Sequence, residues 1–182
     1  MDFTDLAGLQ WRASQINKTP QWLKDMKKGY SDSNHYEYLL YLAEKQHPFI
    51  MCEIGTHKGL GAMCLAKGYP YGMVYTVDIN PASGEFVKDM WNVKRIIGDS
   101  VSVSDKVPND IELLFIDGGH GWGNLTDDYN AYYPKVKKSG IICVDDMKYY
   151  QEVGHGWNHI RQEKLILDEI HNRWGFGVII KQ

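Results

Sequence analysis

The chain has 182 residues, 43% hydrophobic and 24% charged, with a formal net charge of −3, long enough for one domain with a sizeable core. That balance gives no electrostatic footprint for nucleic acid or an anionic membrane surface, and no apolar stretch approaches the roughly 20 residues that span a bilayer. The acidic start Met1-Asp2-Phe3-Thr4-Asp5 carries no apolar signal core, and Cys52, Cys64 and Cys143 read as buried free thiols rather than a disulfide or zinc framework, so a cytoplasmic protein is expected.

Residues 1–48 read as a helical cap segment within one domain spanning 1–182. The first 33 residues are polar and aromatic with weak periodicity (Leu6, Leu9, Trp11; then Trp22, Leu23, Met26), which predicts one or two short helices and the loop Gly29-Tyr30-Ser31-Asp32-Ser33. Ser33 or Asn34 can cap a following helix that carries Tyr36, Leu39, Leu40, Leu42 and Ala43. Beyond it, strand and helix signals alternate. Strands are expected at 49–54, 72–77, 93–97, 111–116, 140–145 and 176–180, and helices at 60–67, 83–90, 124–136 and 156–172. Alternation of this kind implies an α/β fold with a mostly parallel sheet and helices on both faces. The near-continuous runs Ile111-to-Ile116 and Ile141-to-Val144 suit central strands; Phe176-to-Ile180 is expected at an edge.

Between the first expected strand and its helix lies Gly55-Thr56-His57-Lys58-Gly59-Leu60-Gly61. Its glycines permit a sharp turn and close approach of backbone to a ligand, and the helix that follows points its N-terminus at that ligand. Asp78 closes the second apolar run, where an acid is placed to accept hydrogen bonds from a ribose. The spacing G-x-x-x-G-x-G is neither the dinucleotide fingerprint nor a P-loop. With Glu53 in the strand end, the form E-x-G-x-x-x-G resembles motif I of class I S-adenosylmethionine-dependent methyltransferases; an ordinary glycine-rich turn is the alternative.

Acids recur at the carboxyl ends of the expected strands, where open α/β sheets bind ligands: Glu53, Asp78, Asp99, Asp117, Asp145 and Asp146. If the strands ending at Asp117 and Asp145 are neighbours, three carboxylates converge and repel unless protonated or bridged by a cation. An all-oxygen set favours Mg²⁺, with Mn²⁺ or Ca²⁺ as alternatives. Helix capping by Asp145-Asp146 is the plainer account. His120 follows Asp117 by three residues and can serve as a ligand or as an acid–base group. His155 and His159 share one helix face. Trp122, Trp157 and Tyr30 are candidates to flank a planar substrate, although packing explains each of them as well.

The block F-I-D-G-G-H (115–120), then Asp127-Asp128-Tyr129, Tyr133-Pro134-Lys135-Val136 and S-G-I-I-C-V-D-D (139–146), resembles small class I methyltransferases, whose relatives include catechol O-methyltransferase-like and cephalosporin hydroxylase-like proteins. The resemblance covers about residues 49 to 147. It implies a Rossmann-like doubly wound sheet in the order 3-2-1-4-5 plus a C-terminal edge strand. It also implies a cofactor, S-adenosylmethionine, held by Glu53, Gly55 and Gly59 with Thr56 and His57 between them, by Asp78, by Asp99 and Ser100 on the adenine side, and by Asp117. Asp117, Asp145 and Asp146 then hold Mg²⁺. Two positions depart from the family pattern: His120 stands where catechol-type relatives have a lysine base, and Gly61 where a serine or threonine is usual.

The resulting expectation is metal-assisted O-methylation of a small hydroxylated molecule, with Asp117 and His120 catalytic. An S-adenosylmethionine-binding relative with hydroxylase-like chemistry and a non-catalytic nucleoside-binding module are the alternatives. No nucleic-acid or membrane partner is expected, and a homo-oligomer stays open.

Overall fold

Apolar runs fall where buried strands need them, and the charged residues between them fall in loops and on helix faces. The computed structural model describes residues 19–31, 33–167 and 173–182; the helical signal around Leu6, Leu9 and Trp11 lies outside them. In chain order come α1 (Gln21–Lys27), α2 (His35–Gln46), β1 (Ile50–Ile54), α3 (Leu60–Gly68), β2 (Met73–Asp78), β3 (Val93–Ile97), β4 (Ile111–Ile116), α4 (Asn124–Tyr132), β5 (Val136–Asp145), α5 (Gln151–His159), β6 (Lys164–Ile166) and β7 (Phe176–Ile180).

The strands form one sheet in the order β3-β2-β1-β4-β5-β7-β6. Strands β1 to β5 pair in parallel, and β7 runs antiparallel to both β5 and β6. Side chains alternate across the sheet. Met51, Leu113, Phe115 and Cys143 join α1, α2 and α3 in one core, while Cys52, Leu114, Ile116 and Val144 join Leu125, Tyr129 and Trp157 from α4 and α5 in the other. The 3-2-1-4-5 core of a Rossmann-like doubly wound sheet is therefore present.

Three local expectations are corrected. Phe176–Ile180 is not at the edge: every residue is buried, because Phe176, Val178 and Ile180 pack on one face and Ile179 on the other. The edge is the three-residue β6, which lies inside the helix expected at 156–172; α5 starts earlier and stops at His159, and residues 168–172 lie outside the described residues. Residues 83–90 make turns, not a helix. There Gly84 sits at φ +81°, and the amides of Gly84 and Phe86 donate to the carbonyls of His57 and Lys58, so they are committed to the glycine loop. Among the described residues, no helix is long and apolar enough to cross a membrane.

Candidate active site

The glycine loop leaves β1 with Gly55 at φ +93° and enters α3 through Gly59 at φ +92°. A Cβ on Gly55 would lie 1.9 Å from the Asp117 carbonyl oxygen, so the loops after β1 and β4 touch backbone to backbone there. Beneath the loop, the Thr76 hydroxyl donates to Glu53 Oε2 at 2.5 Å and shares a 2.6 Å hydrogen bond with the Thr56 hydroxyl. Glu53 is only 1% exposed. Gly61 completes this arrangement, since a Cβ at that position would lie 2.1 Å from Glu53 Oε1. The departure from serine or threonine at Gly61 therefore makes room for the buried carboxyl.

Burial pushes the Glu53 carboxyl up to about 8, against the opposing hydrogen bond from Thr76. The unfolded chain releases this proton near pH 4.3, so the group's contribution to stability is complete below that pH and is lost as pH rises through about 8. Glu53→Gln removes the dependence. Urea unfolding at pH 5 to 8 is expected to show the variant gaining on the wild type as pH rises, by at most about 1.4 kcal/mol per pH unit. Parallel pH profiles would show that Glu53 is ionised in the fold.

Asp78, at the end of β2, accepts the His57 amide on Oδ2 and the Asn80 amide on Oδ1, each at 2.8 Å. Each oxygen keeps a further lone pair. The His57 ring is held by the Tyr30 hydroxyl at 2.7 Å. After β3, Asp99 Oδ1 accepts the amide and hydroxyl of Ser102, which fixes the turn and holds its carboxyl below the usual range. Ser100 donates its hydroxyl to Asp128 Oδ1 on α4.

At the ends of β4 and β5 the acids separate. Asp145 still follows the strand alternation and faces α2, where its carboxylate lies 2.6 Å from His35 Nδ1. Asp146 adopts φ +65° and turns toward His120, with Oδ2 3.0 Å from Nε2. Asp117 lies between them, in reach of both histidines. Asp117, His35 and Asp145 form one set, and Asp117, His120 and Asp146 another, each with ligand atoms within 4.8 Å of one another. The expected trio Asp117, Asp145 and Asp146 does not meet as one set: Asp145 follows the strand alternation toward α2, while the left-handed φ of Asp146, beyond the strand, turns it to His120.

His120 Nε2 is buried without an aligned hydrogen bond, although it faces two carboxylates. Tyr150 stacks on its ring at 4.1 Å and 4°. Interaction with Asp117 and Asp146 raises the His120 pKa to about 9, and desolvation raises that of Asp117.

A cavity of about 700 Å³ joins these parts. Glu53, Gly55, Thr56, His57, Asp78, Asp99, Ser100, Asp117 and His120 line it; Gly59, Asp145 and Asp146 do not. Thr56 turns its hydroxyl inward and Gly59 serves as the N-cap of α3. His155 and His159 share a face of α5 with rings 4.3 Å apart, outside the lining. Trp122 is 63% exposed, whereas Trp157 is buried against Gly177. Sequence reasoning missed His35 as a partner of Asp145 and Asp128 as part of the lining. The signal for Asp128 was its place on the apolar face of α4 with Leu125, Tyr129 and Tyr132.

A family profile described as a methyltransferase domain matches residues 52–147, over half of the chain. The chain belongs to this family. It is the class I S-adenosylmethionine-dependent group that the motifs resemble. The methyltransferase fold is shared with O-methyltransferase TomG from Streptomyces achromogenes, solved in complex with SAM, at a TM-score of 0.73 and 12% identity over 94% of this chain and 97% of that one. It is shared with SAH-bound methyltransferase PaMTH1 of Podospora anserina at 0.72 and 16%, over 94% and 97%. An O-methyltransferase from Bacillus cereus in complex with SAH gives 0.69 and 15%, over 94% and 92%. At these identities the likeness concerns the fold. Among curated proteins, the uncharacterized protein R132 of Acanthamoeba polyphaga mimivirus is 43% identical over 62 residues, 33% of this methyltransferase and 28% of the relative's own length.

Proposed function

We propose that this methyltransferase binds S-adenosylmethionine in the cavity and methylates an oxygen of a small hydroxylated molecule, with a divalent ion held by Asp117, Asp146 and His120. The observation that carries this reading is the continuity of the cavity, which puts the glycine loop, Asp78 and the Asp117–His120 pair on one lining. The O-methyltransferase descriptions of two fold relatives support the reaction type.

The cradle fits a nucleoside cofactor: beside the glycine loop, Asp78 keeps acceptor capacity for ribose hydroxyls. The second set fits a cation, since two carboxylates and an unaligned imidazole nitrogen converge. An imidazole among the donors moves the preference from Mg²⁺ toward a transition-metal ion. When bound, the cofactor supplies an electrophilic methyl group and the ion lowers the pKa of the acceptor hydroxyl.

The chain's own residues position and balance charge. Asp78 fixes the His57 backbone, and with it the loop, while Tyr150 fixes the plane of His120. Facing two uncompensated carboxylates, His120 keeps its proton up to about pH 9 and takes none from an acceptor at neutral pH. Compensation of Asp117 and Asp146 frees Nε2 to ligate or to accept a proton.

Thermal shift with S-adenosylhomocysteine, S-adenosylmethionine and NAD, each with Mg²⁺, Mn²⁺ or EDTA, tests the reading. Ligand at about 100 times its dissociation constant is expected to add roughly 2.7 kcal/mol. A shift with NAD and none with either adenosyl compound would overturn the cofactor assignment.

A further inference from the structure

We infer that His35, on α2, is a positioning residue that sets the ion preference of the candidate metal site by holding Asp145 out of it. This rests on the reading of Asp117, His120 and Asp146 as that site. Asp117 belongs to two sets of close-lying ligand atoms, one with His120 and Asp146 and one with His35 and Asp145. The two histidine–aspartate pairs differ in how firmly they are held. The His120 side chain is 34% exposed, on a turn with glycines at 118, 119, 121 and 123. The His35 and Asp145 side chains are 6% and 3% exposed and lie 2.6 Å apart.

The His35 ring is held from three elements. Tyr36 on α2 packs at 3.9 Å, Phe115 on β4 at 5.8 Å, and Phe176 on β7 stacks at 6.3 Å. Ser33 Oγ lies 2.8 Å from Nδ1 and accepts the His35 amide at 3.2 Å. A carboxylate only accepts, so the Nδ1–H donates to Asp145 Oδ2. An ion that claims Asp145 must break this buried, charge-assisted bond. Asp145 is thereby withheld, and the ion meets two carboxylates and an imidazole, a donor set that disfavours Mg²⁺. Without the His35 donor, Asp145 adds a third carboxylate whose ligand atom lies within 4.8 Å of that of Asp117. Oxygen-rich sets of that kind suit Mg²⁺.

Titration calorimetry with Mg²⁺ tests this on two variants. His35→Phe keeps a ring in its aromatic surroundings and removes the donor; His35→Asn puts an amide donor where Nδ1 stands. His35→Phe is expected to bind Mg²⁺ at least about tenfold more tightly than wild type, and His35→Asn to stay near wild type. Adding Asp145→Asn to His35→Phe is expected to cancel most of the gain, because a neutral amide is the weaker ligand, whereas Asp145→Asn alone leaves the wild-type ion affinity nearly unchanged. A purely structural role for His35 would lower stability in both variants and raise ion affinity in neither, which overturns the inference. Should His35→Phe fail to fold, Asp145→Asn alone decides: a loss of ion binding as complete as that of Asp117→Ala means that Asp145 is already a ligand, and overturns it. Absence of Mg²⁺ and Mn²⁺ binding from all of these proteins overturns the ion reading itself, and the inference with it.

Discussion

Asp117→Ala is expected to abolish divalent-ion binding, the largest functional effect of any single substitution in this protein. Asp117 belongs to both sets of close-lying ligand atoms and is the acid placed between the two histidines. Its removal leaves Asp146 and His120, 3.0 Å apart, as two donors where the set had three. Titration with Mn²⁺ is expected to give a measurable heat for wild type and none for Asp117→Ala, with His120→Ala weakened at least about tenfold. The metal-free melting temperature is expected to stay near wild type, because the substitution removes a desolvated carboxylate lying beside Asp145 and Asp146. Equal Mn²⁺ affinity in wild type and Asp117→Ala would sink the assignment.

Gly55→Ala is expected to cause the largest loss of stability. At φ +93° an L side chain is strained, and its Cβ would meet the Asp117 carbonyl oxygen at 1.9 Å and the carbonyl carbon at 2.5 Å. Backbone cannot rotate away as a side chain can. The loop after β4 must retreat, and it carries Asp117 with it. Strain and overpacking together cost about 2–6 kcal/mol. Chemical denaturation is expected to show that loss, and adenosyl-ligand binding to fall with it. A variant of wild-type stability would mean that the β1 and β4 loops are not in contact.

The parallel core was legible because its strands are buried on both faces and so read as continuous apolar runs: β4 matches its expected bounds and β1 and β2 nearly so. Failures came where partners distant in sequence decide. Residues 83–90 have helix-compatible spacing, but their amides bond to His57 and Lys58. Lys164–Ile166 is too short to register as a strand and exists as one through its pairing with β7. At the site, strand-end acids marked the correct rim, since a ligand approaches that end of the sheet. Their mutual arrangement was not legible. Asp145 turns to His35 because of where α2 packs, and Asp146 turns to His120 because its backbone takes a left-handed φ. The pairing of Asp145 with His35, more than a hundred residues away, leaves no periodic trace.

The insertion of β7 between β5 and β6 has a kinetic consequence. During synthesis β5 emerges, pairs with β4, and then presents an open edge of Ile141, Ile142, Cys143 and Val144, because its permanent neighbour is encoded after both α5 and β6. At ordinary elongation rates that edge waits for roughly 2–6 s before Phe176–Ile180 leaves the ribosome. An unpaired apolar strand edge is a template for association with other chains. The nascent chain is thus most prone to aggregate after its ligand-binding half has already been made. That edge is closed only when β7 enters the sheet against β5, with β6 completing the rim.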